Sequence, residues 1–434
     1  MFINIEKIIS SVFMTGMTAA VLCSPPAFAQ ESHLDLNSLI KEALANNPGL
    51  KVMQSQWQAA KLKIPQSSAL PDPMAGYTVM GPMLETPLGP QEDMYEFEQT
   101  IPFPGKLFEK RKIAGAQAQT AEANFDKAKR DLILKVSETY YDLYALEENL
   151  ETLEKVQGLL FGFARTAESA YAGMKASQND VNKAHIEAAE VKQRSLLLHQ
   201  QRQSLLFMLG ALINREVKEE DLRPFPIFRA PNQPLELIKL IRQAHQHRPE
   251  INEAVSSVEA AQHAQSLAKY ENAPDISIGF QYFGIGSGST SDPNDGRDAW
   301  MIPIKFTIPL WQNRIVPAVQ EAKENLNASN ARLEDIENLS GYEVKNAFYK
   351  FTTSKEIVDL YEKVLLPQSE LALRSETAGY ESGNTDFLAL VESERLYLNT
   401  KIAYHQALAD SLKNFAVLER IVGLDLAGQG GQDE

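Results

Sequence analysis

The sequence predicts a mainly α-helical chain with a few β-strands, built by duplication. Three observations carry this: the placement of prolines, a repeat between the two halves, and short stretches of strict apolar–polar alternation. Seven prolines lie between Pro71 and Pro104, none between Gly105 and Arg223, and only Pro367 after Pro317. Because proline breaks helices, the proline-free stretches are long helices. From Gly105 to Ala170, Ile113, Ala116, Ala123, Phe125, Leu132, Val136, Tyr140, Leu143, Leu146, Leu150 and Leu153 recur at helical spacing. Some 60 helical residues span about 90–100 Å, too long for a compact globule, so a coiled coil or helical barrel is expected.

The repeat begins with Leu36-x2-Leu39-x3-Ala43-x4-Pro48, which matches Leu237-x2-Leu240-x3-Ala244-x4-Pro249 at an offset of 201. Ile101-Pro102 matches Ile308-Pro309 at 207, and Val136, Tyr140, Tyr141 and Lys155-Val156 match Val344, Phe348, Tyr349 and Lys363-Val364 at 208. Tyr171 then pairs with Tyr380 at 209. Each unit reads as helix, strand-rich segment, very long helix, turn, medium helix. The predicted organisation is a signal peptide 1–29, a first repeat 30–222, a linker 223–234, a second repeat 235–423 and a flexible tail 424–434.

Residues 1–29 have the form of a secretory signal: Lys7 precedes the apolar stretch Ile8 to Leu22, and Ala27-Phe28-Ala29 offers a cleavage site before Gln30. Cleavage removes Cys23, the single cysteine, so disulfides and thiol chemistry are not expected. Ala20-Val21-Leu22 before Cys23 does not suit a lipoprotein signal. The formal charge of −15, from 42 Lys and Arg against 57 Asp and Glu, leaves no basic footprint for nucleic acid. No segment after the signal approaches the roughly 20 apolar residues of a membrane-spanning helix.

In the strand-rich segments, Trp300, Ile302, Ile304, Phe306, Ile308 and Leu310 alternate with Met301, Pro303, Lys305, Thr307 and Pro309. Ile276, Ile278, Phe280 and Tyr282 alternate with Ser277, Gly279, Gln281 and Phe283, while Tyr95, Phe97 and Ile101 alternate with Glu96, Glu98 and Thr100. Residues 74–83 form a weaker strand. The pattern fits a transmembrane β-barrel and equally a soluble sheet packed on helices; Pro303 counts against an interior strand position. Four strands cannot close a barrel of about eight or more, so lipid-facing strands require several chains to share one barrel, and three would supply twelve.

The duplication, the strand pair before each long helix, Ile101-Pro102-Phe103-Pro104-Gly105-Lys106 leading into the first and Ile308-Pro309-Leu310 into the second resemble the TolC-type outer-membrane efflux proteins. The turn patterns Tyr171 to Val181 and Tyr380 to Leu390 share the likeness, which covers about residues 33–423. Leu70-Pro71-Asp72-Pro73-Met74 looks most like the heavy-metal branch, the CusC and CzcC types. The resemblance implies a homotrimer with a twelve-stranded outer-membrane barrel and an α-helical barrel crossing the periplasm. It further implies a passive exit duct working with a periplasmic adaptor and an inner-membrane pump of RND type, without cofactor or catalysis. No phosphate loop, His-Glu-x-x-His or Gly-x-Ser-x-Gly motif suggests an enzyme. The competing reading is a soluble periplasmic helical-hairpin adaptor or scaffold.

By the same resemblance the hairpin turns form the periplasmic tip, where the channel closes and meets its adaptor. Tip-turn and adaptor-contact candidates are Tyr171, Gly173, Ser177, Tyr380, Gly383 and Asn384, with Gly173 and Gly383 expected to permit the tight turns. Asp180, Asp386 and Glu392 are pore or gate candidates, because threefold symmetry turns an inward carboxylate into a ring attractive to cations. Helix capping is the competing role for Asp180, through Ser177-x-x-Asp180, and for Asp386. Ala389 stands where relatives often carry Asp, a departure from the family pattern. His245, His247 and His263 are read as surface or helix-end residues rather than a joint metal site, and Met74, Met80, Met83 and Met94 as lipid- or loop-facing fillers rather than soft-metal ligands. Tyr77, Tyr95, Tyr282, Trp300 and Trp311 are candidates for an interfacial aromatic girdle.

Overall fold

The computed structural model describes residues 35–81, 85–174, 177–218, 225, 235–288 and 292–426. The signal segment with Cys23, Met83, the linker apart from Phe225, and residues 427–434 lie outside the described residues. The first half contains α1 (Leu36–Asn46), α2 (Pro48–Ser67), β1 (Met74–Val79), β2 (Glu85–Thr86), β3 (Gly89–Ile101), α3 (Pro104–Ala172) and α4 (Gln178–Ile213). The second contains α5 (Leu237–His247), α6 (Pro249–Tyr270), β4 (Ile276–Ile285), β5 (Ala299–Met301), β6 (Ile304–Phe306), α7 (Gln312–Leu360), a π-helical turn (Tyr361–Leu365), α8 (Leu366–Glu381) and α9 (Phe387–Val422).

The long helix α3 has 69 residues and starts at Pro104, where a missing N–H costs nothing and φ is already helical. It is about 100 Å long. Its counterpart runs through α7, the π turn and α8 and is one residue longer; that residue is accommodated in the π turn, just before Pro367. The drift in offset from 208 at Lys155/Lys363 to 209 at Tyr171/Tyr380 falls at the same place. Both medium helices end in a left-handed residue, Asn214 in α4 and Gly423 in α9.

The duplication is repeated in the cores. Leu39, Ala43, Val136, Leu143, Leu206, Leu209, Ile213 and Val217 form one cluster. Leu240, Ala244, Val344, Phe351, Phe415, Leu418, Val422 and Leu426 form its equivalent, position by position. Around the molecule α2, α3, α6 and α7 pack side by side in that order. In the tipward half α4, α3, α9 and α7–α8 follow one another. Beyond the ends of both rows, α2 and α4 on one side and α7–α8 on the other, no further long helix follows among the described helices; outside the rows, only the short α1 and α5 touch α4 and α7. None of the described helices is long and apolar enough to cross a membrane.

The sheet is antiparallel with the order β1, β3, β4, then β5 and β6 side by side along β4, leaving β1 and β5/β6 as open edges among the described strands. Register places Tyr77, Tyr95, Tyr282 and Trp300 in one transverse row on the same face, with Phe97, Phe280, Ile278, Ile304, Ile276, Phe306 and Ile101 below it. All of these are solvent-exposed in the single chain. Gly76, Glu96, Glu98, Gln281, Ser277, Thr100 and Lys305 occupy the other face.

Two expectations are corrected. The alternation from Trp300 to Leu310 does not form one strand: β5 and β6 are three residues each, separated at Ile302 and Pro303. Pro303 has no N–H to offer the ladder, yet its carbonyl still accepts from Gly279 N at 2.9 Å, so the strand kinks without leaving the sheet. Met74 and Met94 are not on the apolar face; they pair with Glu98 and Thr78 and stand on the polar one.

Candidate functional site

At the first hairpin tip, Ser177 is the N-cap of α4: its Oγ accepts from Asp180 N at 3.3 Å, and Asp180 Oδ2 accepts from Ser177 N at 3.0 Å and Ser177 Oγ at 2.8 Å. This is a complete capping box, two orphan donors satisfied reciprocally. At the second tip Asp386 caps α9 alone, its Oδ1 accepting from Ala389 N at 2.9 Å. A charged cap already occupies the first position there, so Ala389 needs no acid, which gives a local reason for that departure. Glu392 is exposed, one turn further along α9.

Gly383 has φ +77°, as expected of a helix-ending glycine. Gly173 does not behave so: its φ is −83°, and the left-handed position falls on the next residue, Met174, at φ 58°. Met174 is the true counterpart of Gly383, 209 residues earlier, and is 96% exposed. Asn384 closes the second turn by donating from its backbone to Gly379 O at 2.8 Å and from its side chain to Ser382 Oγ at 2.9 Å. Tyr171 is exposed, whereas its counterpart Tyr380 packs edge-on against Phe387 at 5.7 Å. Ala164, Ala184, Phe387 and Val391 join the two tips into one cluster with Tyr380. Burial, then the charge of Asp180 across the hairpins, raises the Tyr380 hydroxyl above its ordinary pKa. Thus Asp180 and Tyr380 are brought together, while Glu392 stands apart.

Further from the tip are groups that the motif reading missed. The buried stripe of α9 (Phe387, Leu390, Val391, Leu398, Leu408, Leu412) is interrupted by Glu394 and His405. Glu394 is 0% exposed, and neither carboxyl oxygen has a hydrogen-bond partner. Burial first, then the nearby Glu187, pushes it up to about 7, against the opposing pull of Arg395 and Arg194. Glu187 on α4 is itself held by Arg395, which also reaches Glu190 at 3.6 Å. His405 is buried with neither ring nitrogen hydrogen-bonded, Glu148 Oε2 standing 3.9 Å from Nε2, and burial followed by Lys401 pushes it down to about 4. The signal for both was legible: a titratable residue inside an apolar 3–4 spacing.

The polar face of the sheet carries Lys305 to Glu98 at 2.5 Å, Gln281 to Glu96 at 3.4 Å and Thr100 to Ser277 at 2.9 Å. Where sheet meets helices, Asp275 takes Lys106 Nζ at 3.0 and 3.1 Å and Phe103 N at 2.8 Å. His263 bonds Glu109 at 2.7 Å rather than serving as a helix-end residue, while His245 and His247 are exposed at the end of α5. Among the described residues no group of three or more His, Cys, Asp or Glu is placed to hold a metal.

Residues 240–424 match the family model described as outer membrane efflux protein. The cobalt-zinc-cadmium resistance protein CzcC of Cupriavidus metallidurans is 19% identical over 409 residues, covering 92% of each chain. Among solved structures, the outer-membrane channel OprN is similar with a TM-score of 0.76 and 19% identity over 90% of both chains. CusC follows with a TM-score of 0.74 and 17% identity over 91% of this chain and 94% of that one. The second repeat thus matches the outer membrane efflux protein family model, the same core is repeated in the first, and along nine-tenths of its length the chain has the fold of the solved outer-membrane channels.

Proposed function

We propose that this chain is one third of an outer-membrane exit duct, passively conducting substrates delivered by an inner-membrane pump through a periplasmic adaptor. The observation that carries the reading is the sheet: four strand widths, one face mainly apolar and exposed with only Asp93 and Gln99 polar on it, the other mainly polar, and both edges unpaired among the described strands. In lipid an open edge leaves backbone groups unsatisfied, so only ring closure makes such a sheet stable, and three copies give twelve strands. From the tyrosine row to Ile101 is six residues, about 20 Å of strand, followed by the exposed Trp311. That suits an apolar band between two aromatic girdles.

The helices support the same closure. Exposed apolar residues run at 11-residue spacing on the edge helices: Ile186, Leu197 and Met208 on α4, and Tyr349, Leu360 and Leu371 along α7–α8. Opposite edges carry these stripes, so they meet head to tail between copies and close a ring. Carboxylates at the tip, Asp386 and Glu392 with Asp180 behind, then supply a cation-attracting ring as a gate or filter. Heavy-metal cations are the cargo we favour, on the likeness to the cobalt-zinc-cadmium resistance protein along the whole chain.

The test is the mass of detergent-extracted protein from separated outer membranes, followed by conductance in a planar bilayer. A conducting trimer is expected. A monomer in the soluble periplasmic fraction would replace the duct with the adaptor or scaffold reading.

A further inference from the structure

The junction between the two repeats inside one chain is a template for the junction between copies. Within the chain, β3 and α3 of the first repeat lie beside β4 and α6 of the second. Three contacts secure this seam where sheet meets helices: Lys106 and Phe103 N on Asp275, Glu109 on His263, and the ring of Phe103 against Tyr270 at 5.5 Å. Asp275 also donates from its backbone to Thr307 Oγ1 at 2.7 Å, tying the far strand to the same point.

Each side of that seam has an equivalent on an open edge. Pro71-Asp72 with Gly76 and Tyr77 repeats Pro274-Asp275 with Gly279 and Phe280, an offset of 203, so Asp72 stands before β1 as Asp275 stands before β4. Lys106 is the third residue of α3, and Arg314 is the third residue of α7. Asp72 and Arg314 are both exposed, and neither side chain has an ion-pair or hydrogen-bond partner among the described residues. The other positions agree. His263 and Glu109 become Leu62, 65% exposed, and Pro317; Tyr270 and Phe103 become Ala69 and the exposed Leu310. A buried polar pair on the inner seam is thus matched by two apolar surfaces on the outer one.

Resting on the trimeric reading above, we propose that Arg314 of each copy pairs with Asp72 of its neighbour, repeating between chains the contact that Lys106 makes with Asp275 within one. The pair fixes the register of the shared barrel: β6 then lies beside β1 of the next copy with Ile304 against Tyr77 and Phe306 against Ala75, apolar face continuous with apolar face. A one-residue slip would reverse the faces along that seam.

An exposed ion pair contributes little stability, so proximity is the property to measure. The full chain carrying D72C and R314C is purified in detergent and treated with a short bis-maleimide, beside each single variant and a K106C/D275C chain. The expected result is covalent dimers and trimers on a denaturing gel from D72C/R314C alone, with K106C/D275C linked only within a chain. A trimer by mass in which K106C/D275C links and D72C/R314C does not would overturn this pairing and leave the duct standing. A monomer by mass would overturn the duct itself. Charge exchange gives a second arm: D72R lowers the trimer fraction on detergent dilution several-fold and D72R/R314D recovers it, whereas a double variant no better than D72R counts against the pair.

Discussion

Ser177 and Asp386 stand 209 residues apart at the same place in the two repeats, and each is the N-cap of the helix returning from the tip. The first needs Asp180 to complete its box; the second supplies its own carboxylate and is followed by Ala389. Cap and charge are therefore separable at the second tip. Asn caps as well as Asp, so Asp386→Asn keeps the helix and removes the charge, whereas Asp386→Ala loses both, at a cost of about 1 kcal/mol. We expect the thermal midpoint to fall only for Asp386→Ala, and cation selectivity in a bilayer to fall for both. Unchanged selectivity in Asp386→Asn would end the carboxylate-ring reading of this residue.

Glu394 and His405 oppose one another in pH. Glu394, raised from 4.5 to about 7, binds its proton more tightly folded than unfolded. Its stabilising effect is complete below pH 4.5 and is lost as pH rises through 7. His405, lowered from 6.5 to about 4, is better protonated unfolded, so its folded state weakens as pH falls from 6.5 to 4. At 1.36 kcal/mol per pKa unit each swing is about 3 kcal/mol, and the two slopes cancel across the shared window. Helical circular dichroism on heating is expected to give a nearly flat profile for the native chain between pH 4.5 and 6.5. Glu394→Gln should expose a midpoint that rises with pH there, and His405→Gln one that falls; parallel profiles for all three would show that neither burial matters.

Met174 and Gly383 share the left-handed position but not the residue type. An L side chain there costs about 1 kcal/mol or more, and a Cβ on Gly383 would meet nothing within 4 Å, so any penalty is backbone strain alone. Gly383→Ala should destabilise by about 1 kcal/mol and Met174→Gly should stabilise modestly. Shifts of opposite sign in the thermal midpoint are the signature; a neutral Gly383→Ala would mean that the turn relaxes.

Phe280 and Gln281 are sequence neighbours on opposite faces of β4. A lysine in the lipid-facing position costs about 2–4 kcal/mol near the midplane, whereas one facing the lumen does not. Phe280→Lys should reduce the trimer recovered from outer membranes, while Gln281→Lys should assemble normally and lower cation conductance. Equal recovery of the two variants would argue against a lipid-facing sheet.

Most of the architecture was legible because period and proline placement act over tens of residues. The stripe from Ile113 to Leu153 gave α3, and the Leu39/Leu240 and Val136/Val344 matches gave the duplication. What escaped depends on single conformations. Nothing in the composition of Gly173-Met174 says which residue takes positive φ, since glycine permits that region without requiring it. Pro303 signalled trouble for a strand, but the kink also depends on Gly279 reaching its carbonyl from the neighbouring strand. Glu394 interrupts an apolar stripe visibly, yet that it receives no partner depends on Arg395 being engaged by Glu187 across the hairpins.

The π turn at Tyr361–Leu365 also orders two events in the ancestry of the chain. The repeats differ by one residue along their long helices, so the gain or loss came after the duplication, in one copy only. In an unbroken α-helix a single added residue turns everything beyond it by about 100°, which would have carried Leu373, Tyr380 and the whole tip off their packing partners at once. Widening one turn kept every later side chain on its old face. The change could therefore persist without a second, compensating mutation, and the descendants of the two copies could diverge in length while still fitting one tube.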